Sequence, residues 1–239
     1  MLSHVKPGNI LFLDIETVPL KYTFNELNTH EKYLWESKNR HLITEDNTAE
    51  KIYQKAGIYA EFGKIICICT GVLIEKGKKK SLRIKSFSGD DEKKLLLEFA
   101  ALLHTHFNKP PQHTLCAHNG KEFDFPYICR RMLINGIPLP EILDIAGKKP
   151  WETGFLDTME LWKFGDYKSF TSLELLAGVF GIPTPKDDIK GEDVKRVYYE
   201  EKDLNRITAY CRKDVLTIVQ LFLKYRCQEV VAEEDVTFV

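Results

Sequence analysis

The chain has 239 residues and is 44% hydrophobic, enough to bury a sizeable core as one large domain or two small ones. Its 34 basic and 35 acidic side chains nearly cancel, giving a formal net charge of -1. That balance argues against a broad basic face gripping duplex nucleic acid through many phosphates, while leaving room for local basic patches around an acidic site.

The first apolar, strand-like run is "ILFLDIET" (10–17), which carries two acids near its end. Residues 20–62 follow, and within them "FNELNTHEKYLWESKNR" and "TAEKIYQKAGIYAEF" both read as helical. This segment is too aromatic for a floppy loop, so a helical insertion packed near the site is expected. "KIICICTGVLI" (64–74) is β-branched and apolar, and a turn at "EKGKKK" returns the chain along "SLRIKSFS" as a hairpin. "DDEKKLLLEFAALLHTHF" begins with acids and then spaces its apolar residues helically. "HTLCAH" (113–118) is a short return strand, followed by a helix from about Asp124 to Asn135 that Gly136 closes. A fifth strand is expected near "GFLDT" (154–158), then a helix at "SLELLAGVFGI" and a long last helix from Leu204 to about Gln228. Antiparallel strands followed by strand–helix–strand crossovers predict an α/β fold, a mixed β-sheet flanked by helices on both faces. In such sheets ligands bind beyond strand ends, where Asp14 falls.

Asp14 and Glu16 are two apart on a strand, so their side chains share one face with Cα atoms ~6.6 Å apart. Carboxylates held together repel, and burial makes this worse unless a cation neutralises them; oxygen ligands of this kind suit Mg²⁺ or Mn²⁺. A bare Asp-x-Glu after a strand is common and decides little alone. Asp124 falls at a strand-to-helix junction, where an aspartate is most often a cap. Yet Phe123 and Phe125 flank it and Pro126 stiffens the first turn, neighbours that a cap does not need. Tyr210 and Asp214 are four apart on the last helix, ~6 Å along its axis, at the edge of the stripe Ile207, Cys211, Val215, Ile218, Val219 and Phe222. A boundary tyrosine and a solvated aspartate would explain that helix alone. Taken jointly, four acids and one phenol each stand at the edge of an apolar element.

These stretches resemble the three motifs of the DEDD superfamily of 3′–5′ exonucleases: "DIET" the first, "HNGKEFDFPY" the second and "YCRKD" the third. The Tyr-x-x-x-Asp of the third is similar to the tyrosine (DEDDy) branch. The wording most resembles the proofreading domain of family-B DNA polymerases and its stand-alone bacterial relatives, as do "FLDTMELWKFG" and "KGEDVKRVYYE". The resemblance runs from about Ile10 to Phe222. It implies a ribonuclease-H-like fold over residues 1–239 as a single exonuclease domain, with the insertion at about 20–62 as a departure. It implies two Mg²⁺ or Mn²⁺ ions ~3.5–4 Å apart, with Asp14 bridging them, Glu16 and Asp214 holding the water-bearing ion and Asp124 supporting the second. Tyr210, whose phenol near pKa ~10 is a poor base, would orient that water. Thr17 and Asn119 resemble positions that contact the terminal nucleotide, and Phe123 one that packs against the terminal bases.

The expectation is a metal-dependent exonuclease releasing 5′-mononucleotides from single-stranded 3′ ends, DNA favoured. The alternatives are an RNA 3′-exonuclease similar to ribonuclease D and a catalytically inactive nucleic-acid-binding module. No polymerase motifs follow residue 222, so the chain is expected to assist a replication or repair partner at most. Lys121, Arg130, Arg131 and Lys213 lie near the acids, where they would either meet phosphates or form a solvated face. His118 reads as a packed strand-end histidine. The six cysteines include no CxxC pair and four lie in apolar runs, which points to buried thiols in a reducing, cytoplasmic setting and away from zinc. No signal-peptide plan or membrane-length apolar run is present, so no membrane association is expected.

Overall fold

The computed structural model describes residues 2, 5–77, 79–110, 112–166, 170–183 and 189–239; Lys78, in the expected hairpin turn, lies outside them. Six strands among the described residues form one sheet: β1 (Ile10–Pro19), β2 (Gly63–Lys76), β3 (Lys79–Ser88), β4 (Thr114–Ala117), β5 (Leu156–Asp157) and β6 (Val236–Phe238), in spatial order β5-β4-β1-β2-β3-β6. β1 pairs antiparallel with β2 and β2 with β3, whereas β4 lies parallel to β1, β5 to β4 and β6 to β3. The mixed sheet expected from the order of strands and helices is therefore present. β6 was not legible in the sequence: its three residues carry a strand only because β3 offers a free edge.

Strand parity distributes the core. Leu11, Leu13 and Ile15 point to one face, where they meet Leu96 and Phe99 of α3 (Glu92–Leu102) and Phe125, Ile128 and Met132 of α4 (Asp124–Ile134). Ile10 and Phe12 point to the other, against Val215, Ile218 and Phe222 of α8 (Leu204–Tyr225). Phe12 and Phe222 meet edge to face at 5.2 Å. The close approach of α8 to the sheet depends on Gly71, since a Cβ there would lie 2.8 Å from Val215 Cγ1.

The expected helical insertion contains α1 (Thr29–Asn39) and α2 (Ala49–Tyr53), the second shorter than its sequence pattern suggests. Asn28 and Glu31 form a capping box on α1, and Thr48 caps α2. The two helices share a core of their own, in which Trp35 and Tyr53 are fully buried and Trp35 donates to the Ala49 carbonyl at 3.0 Å. The remaining helices, α5 (Thr158–Lys163), α6 (Leu173–Val179) and the single turn α7 (Val194–Arg196), fill the C-terminal half.

The insertion is tied down from α4. The Tyr127 hydroxyl donates to Gly57 O at 2.8 Å, and Arg131 Nη1 donates to Ala60 O at 2.8 Å. Arg131 is buried and its guanidinium also forks onto Glu92, Nε at 2.8 Å and Nη2 at 2.5 Å, while Glu92 accepts the Ile65 N–H at 2.7 Å. Arg131 is thus neither a phosphate contact nor part of a solvated face; it clamps α3, β2 and the insertion together. Arg131→Met is expected to cost ~3–5 kcal/mol in urea unfolding, because it leaves the Glu92 carboxylate buried without its cation. Adding Glu92→Gln should recover part of that loss; a single substitution that costs under ~1 kcal/mol would contradict the clamp.

Candidate active site

The parity that puts Ile10 and Phe12 on the α8 face continues to Asp14 and Glu16. Both acids therefore leave the strand beneath α8, where the apolar packing stops. Glu16 is buried, and a shift of register between Glu16 and Thr17 breaks the ladder just after it. Such an irregularity twists the strand and re-aims the next side chain, here Thr17.

Asp124 opens α4, yet it does not cap it: Phe123 occupies the cap position and no side chain closes the helix. The Asp124 carboxylate instead accepts its own N–H and the N–H of Ile15, midway along β1 and just past the end of β4. The Asn119–Phe123 turn brings it there. Gly120 is required in this turn, since a Cβ would sit 2.4 Å from that of Ala117, and Asn119 adopts a left-handed φ of 61°. The buried Asp157 carboxylate pins the same turn by accepting the N–H groups of Asn119 at 3.0 Å and Lys121 at 3.1 Å, while capping α5 through Met159 and Glu160. Asp157 is a structural member of the site that sequence reading missed; its cap was readable, its hold on a turn 36 residues earlier was not.

On α8, Cys211 and Val215 face the sheet, so Tyr210 and Asp214, each one residue earlier, sit at the stripe's edge, above Asp14 and Glu16. The Tyr210 hydroxyl is hydrogen-bonded to Asp214. Burial, then the charges of Asp214, Glu16 and Asp14, push its phenol up, so Tyr210 stays protonated and serves as a donor.

The four carboxylates act on one another electrostatically. Burial first, then Asp214, Glu16 and Asp124, hold Asp14 well above its ordinary range. Burial followed by Asp214 raises Glu16, and burial lifts Asp124 to about 7, with Asp157 and Asp214 adding to it. Asp14 is only partly buried as a residue, yet its Oδ2 is fully buried and has no hydrogen-bond partner. An orphaned carboxylate oxygen among three further acids is relieved either by a proton or by a cation, and an all-oxygen set of carboxylate donors suits a hard cation. These residues fit the divalent ions that the motif resemblance implies.

A cleft of about 670 Å³ opens beside the acids, walled by Glu16, Thr17 and Phe123 together with Tyr22, Gln54, Lys55, Gly57 and Ile58 of the insertion and Lys195 and Arg196 from α7. The insertion and the α7 region meet across it: Lys195 bonds Gln54 at 2.7 Å, the Tyr22 hydroxyl bonds Glu200, and the Tyr22 and Tyr199 rings lie 5.1 Å apart. Thr17 and Phe123 thus share a wall, whereas Asn119 is not part of it; its carbonyl takes the Phe123 N–H at 3.0 Å, and its Oδ1 is buried without a partner. Lys121 is engaged by Glu160 at 2.5 Å and does not line the cleft; the cations that do are Lys55, Lys195 and Arg196, the last paired with Asp193 and Glu201, and sequence proximity to the acids did not single them out. His118 is packed as expected, its ring between Thr158 Oγ1 and the Thr171 carbonyl, both at 2.9 Å.

Residues 58–236 match the family described as predicted 3′–5′ exonuclease related to the exonuclease domain of PolB, and the chain belongs to that family. The matched range begins after β1, so Asp14 and Glu16 stand outside it. No curated protein matches the sequence. Among solved structures the chain is similar to the family B DNA polymerase from the hyperthermophilic archaeon Pyrobaculum calidifontis, at a TM-score of 0.59 and 14% identity over 93% of this chain. The likeness spans only 25% of that polymerase and establishes the fold, which is ribonuclease-H-like. No described helix is long and apolar enough to cross a membrane.

The raised carboxylates fix the sign of a pH effect in the metal-free protein. Groups that bind protons more tightly when folded contribute stability at low pH, and lose it as pH climbs from the ordinary carboxylate range of ~4 through the Asp124 value of about 7. The Tm of EDTA-treated protein should therefore fall between about pH 5 and pH 8 more steeply than that of Asp14→Asn. Mg²⁺ or Mn²⁺ should raise it more at the upper end; equal slopes for the two proteins would rule out mutual repulsion at the site.

Proposed function

We propose that the chain is a metal-dependent 3′–5′ exonuclease of the DEDDy type that hydrolyses single-stranded 3′ ends, DNA in preference to RNA, and releases 5′-mononucleotides. The observation that carries this reading is the electrostatic coupling of Asp14 to Glu16, Asp124 and Asp214, carried on three distant segments, with a buried Asp14 oxygen left unpaired. Those four residues would hold a pair of Mg²⁺ or Mn²⁺ ions. Bound there, such ions supply Lewis acidity and offset the charge that develops on the phosphate.

The chain's own groups do the rest. Tyr210, protonated and hydrogen-bonded to Asp214, presents a donor beside the acids and orients a water for in-line attack. Thr17 and Phe123 lie on the wall next to Glu16, where a hydroxyl can meet a terminal sugar and a ring can stack on a terminal base. Lys55, Lys195 and Arg196 supply positive charge along the same cleft for the following phosphates. The preference for DNA rests on kinship with the exonuclease domain of PolB. We take residues 1–239 to work as one exonuclease domain in the cytoplasm, where its six free cysteines stay reduced.

Purified protein given single-stranded DNA and RNA substrates labelled at the 5′ end should produce a ladder from the 3′ end with Mg²⁺ or Mn²⁺. EDTA and Asp14→Ala should each abolish it. Tyr210→Phe, which keeps the ring and removes the donor, should lower kcat by ~10–100-fold with little change in KM. A ladder that survives EDTA and Asp14→Ala would discard the metal-dependent reading, and equal turnover of RNA would discard the substrate preference.

A further inference from the structure

A second group of metal-ligating atoms lies directly behind the acids. Cys67 and Cys69 are on β2 with their side chains toward α8, and in the ladder Cys67 stands opposite Glu16 and Cys69 opposite Asp14. The sheet face thus carries a two-by-two grid, acids on one strand and thiols on the next. Cys211 descends on it from α8, and the three Sγ atoms all lie within 4.8 Å of one another. Each of the three cysteines is fully buried.

The spacing suits a shared cation better than a disulfide. Cys67 Sγ and Cys69 Sγ are 3.7 Å apart. Thiolates bound ~2.3 Å from a tetrahedral ion are separated by ~3.8 Å, whereas a disulfide needs ~2.05 Å and a Cα separation that neighbours two apart on a strand barely reach. Polar groups surround the sulfurs as they do around ligating atoms. Ser86 Oγ contacts Cys69 Sγ at 3.2 Å while accepting from Arg212 Nε at 2.7 Å, and Cys211 Sγ lies 3.4 Å from the Asp14 carbonyl. Packing alone would be served by alanine or valine at these three positions.

We propose that Cys67, Cys69 and Cys211 form a site for a thiophilic divalent cation of the zinc and cadmium class. Cys211 also lies within 4.8 Å of ligand oxygens of both Asp14 and Glu16, so an ion on the sulfurs has a carboxylate within reach as fourth donor. An ion that takes this carboxylate withdraws it from the oxygen-lined site, so the two sites compete. That competition rests on the exonuclease reading above; the binding of a soft ion by the thiols does not.

The test is a titration of reduced, metal-free protein with Cd²⁺, followed through the ultraviolet sulfur-to-cadmium charge-transfer absorption. Wild type should develop this band and saturate at a single equivalent per chain. Cys67→Ser/Cys69→Ser should lose it while keeping its circular-dichroism spectrum and its Mg²⁺-dependent turnover, and Cys67→Ala is the second variant should the double one fail to fold. Wild-type turnover in Mg²⁺ should fall as the band grows, with the serine variant resistant. A band of undiminished amplitude in the folded double variant would assign the absorption to cysteines outside the cluster and overturn the proposal, as would its absence in wild type. A band with no accompanying inhibition would retain the site and overturn the competition.

Discussion

Four carboxylates in partial burial repel one another, and most of what is specific about this molecule follows from holding them together regardless. Burial alone disfavours each charge, and the neighbouring acids add to the cost, so the metal-free site is a reservoir of destabilisation within an otherwise well-packed sheet. The surrounding structure must supply that stability elsewhere. It does so through the paired faces of β1, with Leu11, Leu13 and Ile15 packed on one side and Ile10 and Phe12 on the other, all of them buried. Each fully buried large apolar side chain contributes roughly 1.5–3 kcal/mol, so the five together are a large share of what holds the strand in place.

The same constraint explains why the acids come from separate elements. A strand can offer acids to one face only every second residue, so β1 contributes Asp14 and Glu16 before a register shift re-aims the residues that follow. Asp214 approaches from above because α8 packs on that face, and Gly71 lets the helix come close. Asp124 belongs to a helix on the opposite face and reaches the site by turning past the end of β4 to the Ile15 N–H in the middle of β1. The turn that permits this is held by Asp157, itself a buried carboxylate, which satisfies its oxygens with four backbone N–H groups. Two solutions to a buried carboxylate stand side by side here: Asp157 is saturated by the backbone and fixed, whereas Asp14 keeps an oxygen unpaired.

What could be read from the sequence divides along the same line. The spacing of Asp14 from Glu16 and of Tyr210 from Asp214 are local periodicities, and they correctly put each pair on one face of one element. The strand and helix order was legible because apolar runs and caps are local signals. Arg130 and Arg131 are adjacent and chemically identical, and only the packing of α4 against α3 decides that Arg131 faces inward to Glu92. The role of Asp157 and the convergence of Cys67, Cys69 and Cys211 depend on segments that meet only after folding. Cys-x-Cys on a strand carries no sign of the third sulfur more than a hundred residues later. β6 is invisible for another reason: a three-residue strand has no periodicity to read.

The insertion between β1 and β2 illustrates how a costly connection becomes functional structure. These strands must pair antiparallel, a task that a short hairpin turn performs in most sheets. Replacing such a turn by residues 20–62 raises the entropy of closing the loop by only ~2 kcal/mol, because that cost grows with the logarithm of length. The buried rings of Trp35 and Tyr53 offset it, since one such aromatic in a well-packed core contributes at least as much. The insertion also has to be held in one place for its residues to form a wall, and the Tyr127–Gly57 and Arg131–Ala60 bonds fix its last turn to α4, the helix that begins with Asp124. The wall and the acid are therefore mounted on the same support: a shift of α4 moves Phe123 and Asp124 together with Gly57 and Ile58, which line the same cleft. Shared mounting keeps the width of the cleft beside the acids constant, which a wall carried on an independent loop would not.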